Sequence, residues 1–213
     1  MAKRPIFVPG EKKNESVVFM TEFEWNPGFA VSQKQKNIIA LHQAFNKRFP
    51  EKKVLEISSK SLEPLGVKLS AFNLKKYVPE SGKSVPLECV FQGGKVFAEA
   101  GPFTDLYTAS PRDAKRDPRL KSSGRLFNFR FDGKDFPLKP TTAFYNWLYI
   151  NALLENPELS EELLKYDAFT DIEFSPDKSL NCQADAAALY VSLAKKGLVS
   201  MCTDFEAFLS AIK

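Results

Sequence analysis

The stretch from Ser84 to Phe97 has the hydrophobic spacing of an amphipathic helix. Its apolar positions follow the period of 3.6 residues and are Leu87, Val90, Phe91, Gly94 and Ala98. A polar stripe with the same period is formed by Glu88, Gln92, Lys95 and Glu99. Ser84 is suited to the N-cap position and Gly101-Pro102 to the end of a helix. The pattern therefore predicts one helix that continues through Lys95.

Two adjacent glycines, Gly93 and Gly94, lie in the middle of this predicted helix. Each interior glycine costs a helix about 0.5–1 kcal/mol relative to alanine. A pair of them predicts that another part of the molecule, either backbone or a ligand, approaches the chain very closely at this point. The polar stripe itself has two interpretations. It is either an ordinary solvated helix face or the functional face of a site.

Period-two alternation predicts strands in two parts of the chain. The first 60 residues contain three short strand patterns, at residues 5–8, 16–25 and 53–57. Leu126 to Phe131 is the clearest strand, with Phe127, Phe129 and Phe131 on one face. Asp132-Gly133 then predicts a tight hairpin turn into a partner strand at residues 134–138. We expect these segments to form one small antiparallel sheet.

Helical patterns occupy much of the remaining chain. Ser32 and Gln35 have the spacing of a capping box, and the helix after them has an apolar face that includes Ile38, Leu41 and Phe45. Residues 143–155 are apolar nearly all round, which predicts a buried central helix. Together these elements predict an α+β fold, a single helix-rich domain with a small sheet. Residues 1–60 supply the N-terminal strands and helix, and residues 61–213 form the core that carries the site.

Composition and charge narrow the class of protein. With 44% hydrophobic residues, 13% aromatic residues and a net charge of +4, the chain is expected to be a globule that tolerates a polyanionic partner without requiring one. Three cysteines without Cys-x-x-Cys spacing and the lack of a signal peptide favour the cytoplasm. No apolar run is long enough to span a membrane. With His42 as the one histidine, we expect neither a metal site nor a cofactor.

For several residues the sequence pattern allows two interpretations. The span 112–125 carries six basic residues against two acidic ones, and it is either a solvated surface or a phosphate-binding segment. His42 lies beside the apolar face of its helix, where a packed histidine is the favoured reading over a catalytic one. Tyr145 and Trp147 are favoured as core residues over base-stacking ones.

The chain resembles the NADAR family. The run Pro86-Leu-Glu-Cys-Val-Phe-Gln-Gly-Gly-Lys-Val-Phe97 is similar to that family's Pro-Thr-Ser-Glu-His-x-x-Gln-x-x-Lys-Phe signature, and Glu88, Gln92 and Lys95 keep its spacing. Leu65 to Phe72 resembles the family's Phe-Ser-Asn-Phe block. The similarity covers most of the chain and is greatest to NADAR antitoxins of DarT-type DNA ADP-ribosyltransferases. The wider family has Trp before the proline and Thr-Ser before the glutamate, where this chain has Val85 and Leu87.

The resemblance implies an enzyme that hydrolyses the N-glycosidic bond between ADP-ribose and the amino group of guanine in DNA. Glu88 and Lys95 would be the catalytic pair, with Lys95 as nucleophile or imine partner and Glu88 as proton shuttle. On a continuous helix their Cα atoms would lie about 10 Å apart, on either side of Gln92. Arg119 and Lys121 would bind the DNA phosphates. The implied ADP-ribose and guanine ligands are Ser70, Phe72, Asn73, Gln92, Gly93, Gly94, Asp105, Tyr107, Arg112, Lys115 and Arg116.

The implied partners are ADP-ribosylated DNA, the product ADP-ribose, and a DarT-type toxin. Two alternatives remain open at this stage. One is a related N-glycosidase that acts on a small phosphorylated metabolite, as in the riboflavin pathway. The other is a non-enzymatic antitoxin that neutralises its toxin by binding. Such binders usually carry a long disordered or single-helix arm, and the pattern of this chain predicts none. The oligomeric state is not predicted.

Overall fold

Strands and helices are interspersed along the computed structural model, which describes residues 1–177 and 179–212. In chain order the strands are β1 Ala2–Pro9, β2 Ser16–Phe23, β3 Val54–Glu56, β4 Lys75–Val78, β5 Lys83–Pro86, β6 Lys95–Phe97, β7 Leu126–Phe131, β8 Lys134–Phe136 and β9 Ala168–Thr170. The α-helices are α1 Val31–Asn46, α2 Pro64–Lys68, α3 Leu87–Gly93, α4 Pro111–Arg116, α5 Arg119–Ser122, α6 Ala143–Leu154, α7 Pro157–Leu163, α8 Gln183–Lys195 and α9 Phe205–Ala211. Short 3₁₀ helices occupy Thr104–Thr108 and Val199–Thr203. The predicted α+β class is confirmed.

The strands are divided among three sheets rather than gathered in one. The first has the order β2-β1-β9-β3, and it is mixed because β3 and β9 run parallel. The second pairs β4 with β5, and the third has the order β6-β7-β8. The predicted single sheet was wrong because the N-terminal strands pair with β9 and not with the β7–β8 hairpin. The hairpin itself is as predicted, since Asp132 and Gly133 both have positive φ at its turn.

Helix α6 lies at the centre of the core, as its nearly uniform apolar pattern predicts. Phe144 stacks on Phe129 of β7 with ring centroids 4.6 Å apart. Trp147 packs between Phe136 and Phe205, so it is a core residue. The other face of the helix contacts α8. These contacts fix α6 beneath the segments that form the site.

The predicted helix through Lys95 was wrong in its second half. Helix α3 ends at Gly93, and Lys95 begins the strand β6, which pairs with β7. The N–H of Arg130 donates to the carbonyl oxygen of Gly94 at 2.6 Å, so strand pairing replaces the helical hydrogen bonds at this point. Pro86 holds the N-cap position, and Ser84 belongs to β5. Tertiary pairing therefore overrides the helical period of the sequence.

The two glycines are required by close approaches of the protein to itself. A Cβ atom on Gly93 would lie 2.6 Å from Cε1 of Tyr107, and one on Gly94 would lie 2.7 Å from the carbonyl oxygen of Arg130. Both distances are shorter than Cβ contacts allow. The predicted close approach is therefore made by the ring of Tyr107 and by the backbone of Arg130.

Candidate functional site

A cleft of about 710 Å³ opens beside α3, where this helix meets α4 and the segments that follow β3 and β9. This volume lies within the range of roughly 300–1,000 Å³ that small-molecule sites occupy. The residues that line it come from distant parts of the sequence. Predicted site residues among them are Ser70, Phe72, Glu88, Gln92, Lys95, Arg112, Lys115 and Arg116.

Three polar side chains form a hydrogen-bonded row along the cleft. Lys95 Nζ donates to Gln92 Oε1 at 2.7 Å, and Gln92 Nε2 donates to Glu88 Oε1 at 2.8 Å. Because an ammonium group only donates, the amide oxygen of Gln92 faces Lys95 and its NH₂ group faces the carboxylate. Gln92 thus joins Glu88 to Lys95, although Lys95 no longer belongs to the helix. Glu88 and Lys95 thus face one cleft, as the sequence predicts, although the helix that was predicted to carry both of them ends before Lys95.

Glu88 is held rigidly in the first turn of α3. Its backbone N–H donates to the carbonyl oxygen of Ala71 at 2.8 Å, which ties the helix start to the preceding loop. The residue is only 5% exposed, yet it still lines the cleft. Lys115 Nζ lies 3.7 Å from Oε1 of Glu88. A buried carboxylate with one amide donor and one nearby cation has its position determined before any substrate arrives.

The pKa of Lys95 is lowered, chiefly because burial disfavours its charged form. The nearby Lys115 lowers it further, whereas Glu88 acts in the opposite direction. Nζ also lies 4.9 Å from the ring centroid of Phe91, an apolar neighbour on α3. Among the described residues no carboxylate forms an ion pair with Lys95. A larger fraction of this amine is therefore neutral than for an ordinary surface lysine.

Helix α4 presents three cations to the cleft. Arg112, Lys115 and Arg116 lie at i, i+3 and i+4, a spacing that places them on one helix face. Ser110 caps this helix by accepting a hydrogen bond from the N–H of Asp113. Neither arginine forms an ion pair with a carboxylate in residues 1–177 and 179–212. This face is suited to bind an anion such as a diphosphate.

The cleft has a further wall that the sequence did not predict as part of the site, formed by Asp171, Gln183 and Tyr145. Gln183 Nε2 donates to Asp171 Oδ2 at 3.0 Å, and the oxygen of the same amide accepts from the N–H of Ala71 at 2.7 Å. Asp171 directly follows the buried strand β9 and Gln183 opens α8. The available signal was a carboxylate that directly follows a buried strand.

Burial raises the pKa of Asp171 to about 8, and the neighbouring carboxyl group of Glu56 contributes to the same shift. Glu56 lies under the cleft, where it accepts from Thr170 Oγ1 and from the N–H of Ile172. Its own pKa is raised by burial. Burial thus favours the protonated form of Asp171, and a carboxyl group with a raised pKa in a cleft is a candidate general acid.

His42 is hydrogen-bonded to the Thr170–Glu56 pair beneath the cleft and does not line the cleft itself. Its Nε2 lies 2.8 Å from Oγ1 of Thr170, and burial lowers its pKa to about 4. Since the Thr170 hydroxyl donates its proton to Glu56, the His42 ring must donate to Thr170. The predicted packed histidine is confirmed.

The structure removes three predicted substrate ligands from the cleft. Gly93 and Gly94 are covered by the contacts described above, and these leave no room for a sugar or a diphosphate. Tyr107 is one of the groups that cover Gly93, and it is itself buried. Their assignment as substrate ligands was wrong because the close approach that they permit is internal packing.

Four other predicted residues also lie outside the lining of the cleft. Asn73 donates from Nδ2 to the carbonyl oxygen of Val67 and therefore stabilises its own loop. Arg119 donates to both Asp105 and Asp117, with the shortest contact 2.6 Å to Asp105 Oδ2. Two carboxylates neutralise this guanidinium, so the assignments of Arg119 to DNA phosphate and Asp105 to substrate conflict with the structure.

Lys121 is exposed on α5 and forms no ion pair within the described part of the chain. It remains a prediction as a phosphate ligand.

The described residues contain neither a metal-binding cluster nor a helix that could cross a membrane. No group of three or more His, Cys, Asp or Glu side chains is arranged to hold a metal ion. Among the helices of residues 1–177 and 179–212, none combines the length and the apolar character that crossing a bilayer requires.

A family model matches nearly the whole chain. The model of a family described as DarT1-associated NADAR antitoxin matches residues 2–213. No curated protein matches the chain.

Proposed function

The chain belongs to the DarT1-associated NADAR antitoxin family, and from this premise we propose that it is an N-glycosidase that removes ADP-ribose from the guanine amino group of DNA. It would thereby reverse the modification made by a DarT-type toxin. The observation that carries the proposal is the row of Glu88, Gln92 and Lys95 in one cleft. The row supplies a carboxylate and an amine of lowered pKa to the same small volume.

The cations of α4 suit the diphosphate of ADP-ribose. Arg112, Lys115 and Arg116 offer one lysine and two arginines on one wall, and an arginine binds a phosphate through two parallel hydrogen bonds. If the diphosphate lies on this wall, the distal ribose extends toward Lys95 and Glu88. Phe72, whose ring lies 5.5 Å from Lys115 Nζ, adds an apolar surface beside the same wall.

In the first step of the proposed reaction, the ribose ring opens. The bond between C1″ and the ring oxygen O4″ breaks, O4″ takes a proton from the Asp171 carboxyl group, and C1″ becomes an iminium with the guanine nitrogen. A pKa of about 8 for Asp171 keeps that proton available at neutral pH. The protein thus acts as a general acid at the sugar before any covalent bond to the enzyme forms.

In the second step, neutral Lys95 attacks C1″ through Nζ. Glu88 takes the proton that Nζ loses and passes it to the guanine nitrogen, and the bond between C1″ and that nitrogen then breaks. Guanine leaves with its amino group restored, and Lys95 is joined to C1″ as a protonated Schiff base. Gln92, which contacts both side chains, keeps the amine and the carboxylate at the spacing that this transfer needs.

In the last step, water hydrolyses the Schiff base. Water adds to C1″, its proton returns to Asp171, and the bond between C1″ and Lys95 breaks. The open-chain aldehyde closes through O4″ to give free ADP-ribose. The sum is hydrolysis of one N-glycosidic bond, and all three side chains regain their starting protonation states.

The direct test uses single-stranded DNA that carries one ADP-ribosylated guanine. Incubation with the purified protein is expected to release free ADP-ribose and unmodified DNA with repeated turnover. Release of no ADP-ribose, with formation of a stable complex with the toxin, would instead indicate an antitoxin that acts by binding. Hydrolysis of small phosphorylated N-glycosides with the DNA left intact would indicate a metabolic glycosidase.

A further inference from the structure

Phe127 is an exposed aromatic residue in a strand whose other phenylalanines form the core. Its side chain is 64% exposed, whereas Phe129 and Phe131 of the same strand are buried. The alternation in β7 predicts that the three rings share one face, so the exposure of Phe127 needs a local cause. A phenylalanine that contributes nothing to the core is free to serve as a contact surface.

The cause is an irregularity in the pairing of β6 with β7. Val96 pairs with Asn128, but Phe97 pairs with Leu126, so Phe127 has no partner on β6. An extra residue of this kind is a β-bulge, which bends the strand and redirects the side chain next to it. Bulges recur beside functional sites. Here the bulge lies at an aromatic residue that is exposed to solvent.

The position of Phe127 relative to Lys95 follows from the strand register. Lys95 pairs directly with Phe129, which lies two residues after Phe127. From the spacing of neighbouring strands and the rise per residue, the Cα atoms of Lys95 and Phe127 lie roughly 8 Å apart. Phe127 is not part of the cleft lining, and this backbone distance is what relates it to Lys95.

Two cations lie close to Phe127 along the chain. Arg125 and Lys121 are exposed, and neither forms an ion pair with a carboxylate of the described residues. The carbonyl oxygen of Arg125 accepts from the N–H of Ala98, which fixes the backbone of this segment. Arg119 and Arg130 differ, because each is paired with a carboxylate. Lys121 and Arg125 are therefore exposed cations within six residues of Phe127 in the sequence.

We propose that Phe127 is a stacking platform for a nucleobase that flanks the modified guanosine of single-stranded DNA, with Arg125 and Lys121 against the adjoining phosphates. An aromatic ring combined with free cations is the means by which proteins bind single strands without reading their sequence. This inference rests on the proposed function, and it names the substrate as a DNA strand longer than the modified nucleotide.

The test compares Phe127→Ala with the wild type on two substrates, an ADP-ribosylated single-stranded oligonucleotide and ADP-ribosylated guanosine. Loss of one stacked base is expected to lower kcat/KM on the oligonucleotide about 10-fold and to leave kcat/KM on the nucleoside unchanged. Phe127→Trp, which retains a stacking surface, is expected to keep the activity on the oligonucleotide. Phe29→Ala is the matched control, since Phe29 is fully exposed but lies between β2 and α1.

Equal losses on both substrates, or no loss on either, would overturn the inference. A binding measurement separates it from the proposed function. Wild-type protein is expected to bind a fluorescein-labelled, unmodified single strand about 10-fold more tightly than Phe127→Ala does. If that difference is found and no ADP-ribose is released, the proposed reaction fails and the DNA surface stands. If ADP-ribose is released but the two proteins bind the strand equally, the DNA surface fails and the reaction stands.

Discussion

Lys95 donates its hydrogen bond to the amide oxygen of Gln92 at 2.7 Å and not to the carboxylate of Glu88. The distinction matters because a direct ion pair would stabilise the ammonium form and raise the pKa of Lys95. An amide between the two groups keeps the carboxylate within reach for proton transfer while burial lowers the lysine pKa. The site can therefore contain a carboxylate and a reactive amine together.

Replacing Glu88 by glutamine is expected to lower turnover by about 100-fold or more, the magnitude of a positioned acid or base. The fold should persist, because the amide oxygen of a glutamine at this position can still accept from Gln92 Nε2. The measurement is the release of ADP-ribose from modified DNA in a single-turnover assay, together with the melting temperature.

The control for this substitution is Glu99→Gln. Glu99 shares the polar stripe of the sequence, but it is exposed and is not part of the cleft. The control should retain wild-type turnover. Near wild-type turnover of Glu88→Gln would remove Glu88 from the mechanism.

Neutralising Arg112 and Arg116 together, by Arg→Gln at both positions, is expected to weaken substrate binding at least about 10-fold, because charge-assisted hydrogen bonds to phosphate are lost. The loss should be similar for the modified oligonucleotide and for ADP-ribosylated guanosine, since both contain the diphosphate. The measurement is KM on each substrate. This pattern differs from that of Phe127→Ala, which should affect the oligonucleotide alone.

Arg119→Gln is the control for the arginine pair. Its guanidinium is already occupied by Asp105 and Asp117, so its removal should change KM by far less. A KM increase for Arg119→Gln as large as that for the double variant would contradict the assignment of the anion site to α4.

Part of this site could be predicted from the sequence, because it depends on short-range periodicity. Glu88 and Gln92 lie one helical turn apart and meet as expected. The position of Lys95 could not be derived, since α3 ends where Gly94 packs against the backbone of Arg130 and the strand begins. The local sequence pattern predicts that the helix continues there. It ends because Lys95 pairs with β7, which lies more than thirty residues away in the chain.

The wall formed by Asp171 and Gln183 lay beyond sequence reasoning for a related reason. Its two members approach α3 through the parallel pairing of β3 with β9 and through the hydrogen bond from Ala71 to Gln183. Neither contact leaves a periodic signal. The raised pKa of Asp171 depends in turn on Glu56, which is more than a hundred residues away in the chain.

His42, whose pKa of about 4 in the folded protein lies below its usual value of 6.5, makes the stability rise with pH only up to about 6.5. From that pH to above 8 the stability is expected to fall, in part because of Asp171. Its pKa in the folded protein, about 8, is higher than the usual value of 3.8, so between these values the folded state binds more protons than the unfolded state. The free energy of unfolding then decreases with rising pH. Asp171→Asn should make this dependence shallower, as measured by urea unfolding at both pH values. Asp177→Asn, which changes an exposed carboxyl group of the same segment, should leave the slope unchanged.

Borohydride should trap the substrate on Lys95. Reduction of the Schiff base during turnover is expected to leave ADP-ribose joined to the peptide that contains this residue, and mass spectrometry can locate the adduct. Lys95→Arg keeps a positive charge beside Gln92 but removes the amine that can become neutral. This variant should form no adduct and should lose turnover by about 100-fold or more. Lys115→Arg, which changes the other lysine near Glu88, should still form the adduct on Lys95.

If Lys95→Arg hydrolyses the bond at near the wild-type rate, or if reduction gives no adduct in the wild type, Lys95 acts only as an electrostatic ligand. Glu88 would then activate a water molecule for direct attack on C1″.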